Sequence, residues 1–201
     1  MKRAAPPPPW ALLSFLLCYS DDAVRAARGE IFQLPPGPVR AALVRFAAAW
    51  SGDPADYVQT FDLRRRAALE LTYYAHGDTR ERGMALLRLK KLYRAAGLPL
   101  ASAELPDHLT IMLAFAALAP PGHGEALLAE HRPAIELLRL SLHDLGSPYA
   151  YVLDAVAALL PPLGVAERSE VARLAHDGPP EESVGLEPYG PPEAMPRGAH
   201  A

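Results

Sequence analysis

Apolar positions along this chain recur at the three- and four-residue spacing of helices, and no stretch alternates with the two-residue period of a half-buried strand. Trp10–Tyr19 reads as a first amphipathic helix, closed by Ser20-Asp21-Asp22, and a short second helix fits Asp22 to Phe32, ahead of Pro35-Pro36-Gly37-Pro38. Across Val39–Trp50, Leu43, Phe46, Ala47 and Trp50 fall on one face. Ser51-Gly52-Asp53-Pro54 stops that helix and starts the next, with Asp53 suited to the N-cap and Pro54 to the first helical position. From Asp53 to His76 the apolar face of Tyr57, Phe61, Leu69 and Tyr73 is only approximate, which predicts a break near Phe61-Asp62-Leu63.

Gly77 predicts a left-handed residue closing that segment, and Asp78 with Glu81 three residues on predicts a capping box. The helix that follows repeats apolar residues at Leu86, Leu89, Tyr93 and Ala96 and ends at Gly97. Pro106 fits a first helical position, which would put Asp107 and His108 in the first turn, where the helix's positive end favours a carboxylate. Leu109, Met112 or Leu113, and Ala116 supply that helix's buried face. After Pro120-Pro121-Gly122, Glu125–Leu145 reads as one long amphipathic helix, and Ser147-Pro148 opens a last one to Leu160. From about Glu167 onward Pro, Gly and acidic residues replace the apolar period. The expectation is an all-α fold: one globular helical bundle of about seven or eight helices over residues 10–165, between a flexible Pro-rich leader (1–9) and a disordered acidic Pro/Gly-rich tail (166–201).

Composition sharpens this. The 201 residues suffice for one domain with a real core. Half are hydrophobic yet only 7% are aromatic, because Ala and Leu, both strong helix formers, dominate. A net charge of -3 argues against nucleic acid as partner. Arg64-Arg65-Arg66 and the arginines from Arg80 to Arg94 are interspersed with Glu70, Asp78 and Glu81, as on a solvated helix face. The single cysteine, Cys18, excludes an internal disulfide and reads as a structural thiol in an apolar helix. Lys2 and Arg3 ahead of the apolar run Trp10–Cys18 have the outline of a secretory signal. Pro6 to Pro9 interrupt it, however, Leu17 stands where a lipoprotein cleavage site needs a small residue, and Tyr19, Asp21 and Asp22 follow. Nothing else approaches the ~18 apolar residues of a membrane span. A cytoplasmic location without stable membrane association is expected.

The chain carries no phosphate-binding glycine loop, no GxSxG and no HExxH, so no catalytic residue and no metal ligand set is expected. Asp107 and His108 are adjacent, and successive helical side chains point about 100° apart, so they do not converge on one reacting atom. Two readings stay open for them: the start of a helix, or an acidic recognition group at the mouth of a groove. Tyr73 and Tyr74 must likewise diverge, which leaves one free to line a surface groove.

Four strings are more specific. They are Tyr57-Val58-Gln59-Thr60-Phe61-Asp62-Leu63-Arg64-Arg65-Arg66, then Leu71-Thr72-Tyr73-Tyr74-Ala75-His76-Gly77-Asp78-Thr79-Arg80 with Arg82-Gly83-Met84-Ala85-Leu86-Leu87, then Glu104-Leu105-Pro106-Asp107-His108-Leu109, and finally Ser147-Pro148-Tyr149-Ala150. In this order they resemble the NarJ/TorD family of redox-enzyme maturation chaperones, and within it the NarJ branch, from about Trp10 to Leu163. The chain departs from that pattern at Ala67-Ala68-Leu69-Glu70, at Tyr19-Ser20-Asp21, and at Ala114, where the pattern commonly carries a glutamate.

The resemblance implies a TorD-like, all-helical cytoplasmic chaperone without enzymatic activity. Its partner would be the N-terminal segment of the nitrate reductase α (catalytic) subunit. It would hold that client until the molybdenum–guanine-dinucleotide cofactor is inserted and the complex docks at the membrane. The cofactor belongs to the client, and none is expected to be bound stably here. The motif residues Tyr73, Tyr74 and Pro106, with Leu87 added on helical geometry, are expected to build the client-peptide groove, with Glu104, Asp107 and His108 at its rim. His76, Gly77, Asp78, Thr79, Arg80, Arg82 and Gly83 are expected to form its structural corner. The alternatives are a chaperone for a different molybdoenzyme, binding a twin-arginine leader, and a helical regulator that binds a small ligand or nucleic acid.

Overall fold

The computed structural model describes residues 9–19 and 22–180. All but the last residue of the expected leader, and the expected tail from residue 181, lie outside the described residues. Helices α1 (Trp10–Leu16), α2 (Asp22–Ala27, continuing as a 3-10 turn over Arg28–Gln33) and α3 (Pro38–Ala49) follow the apolar spacing of the first fifty residues. At α4 (Pro54–Tyr57), Asp53 caps the helix by accepting from the Ala55 amide at 2.9 Å, with Pro54 at the first position as expected. The predicted break is a π turn over Val58–Asp62 followed by a 3-10 turn over Arg65–Ala67. Then come α5 (Leu71–His76), α6 (Arg80–Ala95), α7 (Leu109–Leu118), α8 (His123–Glu130), α9 (Arg132–Asp144), α10 (Tyr149–Leu159) and α11 (Val165–Asp177).

The all-α expectation holds. Among the described residues, the extended backbone pairs at one isolated antiparallel bridge, Glu70 with His108. Helix α10 is the centre: it packs on α3, α9 and α1, while α7 lies against α1 and α8. Its Tyr149 sits in an aromatic cluster, 4.9 Å from Phe61 and 5.7 Å from Phe46 between ring centroids, and the Trp50 indole donates to the Tyr149 hydroxyl at 3.2 Å. Gly124 lets α8 close on α7, since a Cβ there would overlap the Ala116 backbone. No described helix is long and apolar enough to cross a membrane.

Four expectations about elements are corrected. The helix expected over Glu125–Leu145 is two, broken at His131, because Pro133 cannot donate to the carbonyl one turn back and its ring would strike it. The N-cap position of α6 is Thr79 rather than Asp78, and its side chain makes no capping hydrogen bond. Instead, Asp78 pairs with Arg82 at 3.2 Å and Arg65 at 3.6 Å. Helix α7 starts at Leu109, so Pro106, Asp107 and His108 lie ahead of it and not in its first turn. Disorder does not begin at residue 166: α11 forms there, with Val171 and Leu174 buried against α9. Its start is stabilised by Glu167, which accepts from the Gly164 amide at 2.6 Å.

Candidate functional site

The Glu104–His108 string and the Tyr73–Arg82 string meet, but as a buried clamp. The Leu71 amide donates to the Asp107 carbonyl at 3.0 Å and the Leu109 amide to the Leu69 carbonyl at 2.8 Å. Asp107 is fully buried, and its Oδ2 accepts from the Thr72 amide at 3.2 Å and from the Thr72 hydroxyl at 2.5 Å. Arg82 approaches the same oxygen at 3.7 Å. The carboxylate therefore satisfies the Thr72 amide in the buried first turn of α5 and holds α6 against it, the task of a cap delivered from a distant segment. His108 is buried too, with Nδ1 2.6 Å from the Thr110 hydroxyl, and the Tyr93 hydroxyl donates to the Pro106 carbonyl at 2.7 Å. Asp107 and His108 are thus not rim residues. Of the two readings left open, the geometry gives them the holding of a helix start, although the start that Asp107 serves is that of α5.

A cleft of about 600 Å³ opens on the other side of α5. Tyr73 and Tyr74 line it, joined by Arg65 and Arg66, by Leu137, Leu140, Ser141 and Asp144 of α9, and by Leu174, Ala175, Gly178 and Pro179 at the end of α11. Tyr74 is buried and fixed by donating to the Arg66 and Ala68 carbonyls at 3.1 and 2.9 Å, and burial pushes its phenol well above the ordinary range. Tyr73 is half-buried, with the Arg82 guanidinium 5.7 Å from its ring centroid. As expected for successive helical residues, one tyrosine serves the core and the other the opening.

Of the expected groove residues, then, Tyr73 and Tyr74 line the cleft, while Pro106, Asp107 and His108 are buried in the clamp. Leu87 and Glu104 are exposed and line neither. The residues missed were Leu137, Leu140, Ser141 and Asp144, whose three-, four- and seven-residue spacing puts them on one helix face. That signal was available. Leu174 carried almost none, because α11 has only two apolar residues buried in thirteen positions.

Gly77 is the hinge of the expected corner. Its φ of 58° and ψ of -148° are not the left-handed helical pair predicted, but a region used almost solely by glycine. A Cβ there would also overlap the Pro180 carbonyl, which lies across the corner. Gly77→Ala is expected to lower stability by about 1–3 kcal/mol from the backbone conformation and this overlap. Urea denaturation reads it, and an unchanged midpoint would mean that the corner relaxes freely.

The chain belongs to the nitrate reductase delta subunit family, whose model matches residues 40–154. It is 33% identical over 172 residues to the Bacillus subtilis protein named "Probable nitrate reductase molybdenum cofactor assembly chaperone NarJ", covering 81% of this chain and 94% of that one. It is 32% identical over 159 residues to the Escherichia coli nitrate reductase molybdenum cofactor assembly chaperone NarJ, covering 74% and 67%. Similarity to the nitrate reductase-like protein NarX of Mycobacterium tuberculosis reaches 36% over 152 residues, but the match spans only 23% of that protein. Among the described residues no three His, Cys, Asp or Glu side chains gather as a metal site.

Proposed function

We propose that this protein is a cytoplasmic, non-enzymatic chaperone of nitrate reductase assembly. It holds an N-terminal segment of the catalytic α subunit while the molybdenum cofactor is inserted into that subunit. The names of the relatives support the chaperone role. The observation that carries the binding step is the cleft between α5, α9 and α11, with Leu137, Leu140, Leu174 and Tyr73 on its walls. An amphipathic helix laid in such a groove buries its apolar side there, and Asp144 offers a carboxylate to its basic residues. The seat is thus the cleft, rather than the Pro106 segment.

Calorimetric titration of the full chain with a synthetic peptide of the α subunit's N-terminus tests this. Micromolar binding is expected, weakened at least about tenfold by Leu140→Asp, since a charge replaces an exposed apolar anchor on the cleft wall. Leu87→Ala and Glu104→Gln leave it unchanged. Full affinity in Leu140→Asp with loss in Leu87→Ala would move the seat to α6.

A further inference from the structure

The cleft has a second feature that a client with basic residues does not explain. Its α5 side is rimmed by Arg65 and Arg66, and the Arg65 side chain is 83% exposed, held by nothing stronger than the 3.6 Å pair with Asp78. Exposed pairs of this kind contribute little, so this cation is available to another carboxylate. A basic peptide finds one favourable charge here, Asp144, against two unfavourable ones.

The chain itself supplies the opposite charge pattern, and supplies it at this place. Helix α11 ends at Asp177, Gly178 turns with φ 76°, Pro179 lines the cleft, and the Pro180 carbonyl lies on Gly77 at the corner between α5 and α6. The described residues therefore end at the rim of the cleft. The residues that follow begin Glu181-Glu182-Ser183-Val184-Gly185-Leu186-Glu187-Pro188-Tyr189, acidic groups interleaved with Val184, Leu186 and Tyr189. Nine extended residues reach about 30 Å, enough to cross the opening. Beyond them Glu193 adds a carboxylate and Arg197 one cation.

We infer that residues 181–189 of this chain occupy the cleft as an intramolecular stand-in for the client, with their carboxylates on Arg65 and Arg66 and their apolar side chains against α9. This rests on the cleft being the client's seat and adds its regulation. The tether makes a weak contact effective. A short linker holds a segment at roughly millimolar local concentration, so a contact with a Kd of about half a millimolar is about two-thirds occupied and weakens a competitor about threefold. A client of high affinity displaces the segment, while unrelated apolar peptides are kept out.

The test uses the full chain with the photoreactive residue p-benzoylphenylalanine in place of Tyr189, irradiated with and without the α-subunit N-terminal peptide. The expected result is an intramolecular cross-link to residues 65–74 or 137–144, lost when the peptide is saturating. In parallel, Glu181→Lys/Glu182→Lys/Glu187→Lys in the full chain binds the peptide about threefold more tightly. Cross-links elsewhere, cross-links between two chains, or an unchanged Kd in the lysine variant would each overturn the inference. A cleft cross-link in a protein that binds no peptide would overturn the client reading and leave the intramolecular contact standing. Peptide binding without a cleft cross-link would do the reverse.

Discussion

Asp107→Ala is expected to destabilise the protein by about 3–5 kcal/mol, the cost of removing a fully buried carboxylate from the groups it pairs. The carboxylate accepts both the amide and the hydroxyl of Thr72 and faces Arg82 at 3.7 Å. Alanine leaves the buried Thr72 amide and hydroxyl without their acceptor at a helix start, and leaves Arg82 with only the exposed Asp78 as counter-ion. Two elements lose their connection together, because the same strap carries the Leu71–Asp107 and Leu109–Leu69 backbone bonds. For a domain of this size the loss corresponds to about 10 °C in melting temperature. Asp107→Asn keeps the shape and one acceptor but loses the charge facing Arg82, and is expected to fall between the two. Client affinity measured below the melting range stays within about twofold, since Asp107 does not line the cleft. A loss under 1 kcal/mol in thermal or urea unfolding would refute the clamp, and a specific loss of client binding in a stable Asp107→Ala protein would restore Asp107 to recognition.

That outcome bears on how function is written into this chain. The Glu104–His108 and Tyr73–Arg82 strings were legible as belonging together, because unusual residue types at fixed spacing mark a shared task. Which task was not legible. A buried aspartate that caps a helix from a remote segment and an exposed one that meets a cationic peptide look alike in sequence, and only Thr72 at 2.5 Å decides between them. Helices such as α3, whose apolar period fixes the buried face, and α7, apolar nearly all round and therefore buried, were readable. Helix α11 was not, since Val171 and Leu174 alone are buried and its order comes from packing on α9 and from the Gly164–Glu167 cap. The break at His131 was readable from Pro133, but the strong apolar period on both sides concealed it.

Helix α9 ties the cleft to the rest of the fold. Leu137, Leu140, Ser141 and Asp144 face the opening, while Arg139 and His143 reach Asp154 of α10. Glu136 lies between Arg132 at 3.0 Å and Arg139 at 2.6 Å, one helical turn to either side. Arg139 continues to Asp154 of α10 at 2.8 Å, where His143 also binds at 2.9 Å. Burial alone would raise the Glu136 carboxyl above its ordinary 4.5, but hydrogen bonds and charge from Arg139 and Arg132 outweigh it and hold the group below that value. Asp154 is held below its ordinary 3.8 in the same way, against burial, by His143 and Arg139.

Glu136→Ala is expected to destabilise by about 3–5 kcal/mol at neutral pH, because Arg132, itself buried, and Arg139 lose their shared counter-ion. The sign of the pH dependence follows from the depressed values. The unfolded carboxylates bind protons more readily than the folded ones, so their stabilisation is complete above about pH 4.5 and is lost as pH falls through the lower folded values. The gap in melting temperature between the native protein and Glu136→Ala should therefore be widest near pH 7 and shrink on acidification toward pH 3. A second consequence separates this network from the Asp107 clamp. Glu136 sits beside Leu137 on the helix that walls the cleft, so its loss is expected to weaken client binding several-fold even below the melting range, while Asp107→Ala does not. Unfolding curves at pH 7 and pH 3, with one titration of each variant, decide it. A gap that stays constant with pH would mean that Glu136 acts through packing rather than charge, and unaltered client affinity would uncouple α9 from the cleft it lines.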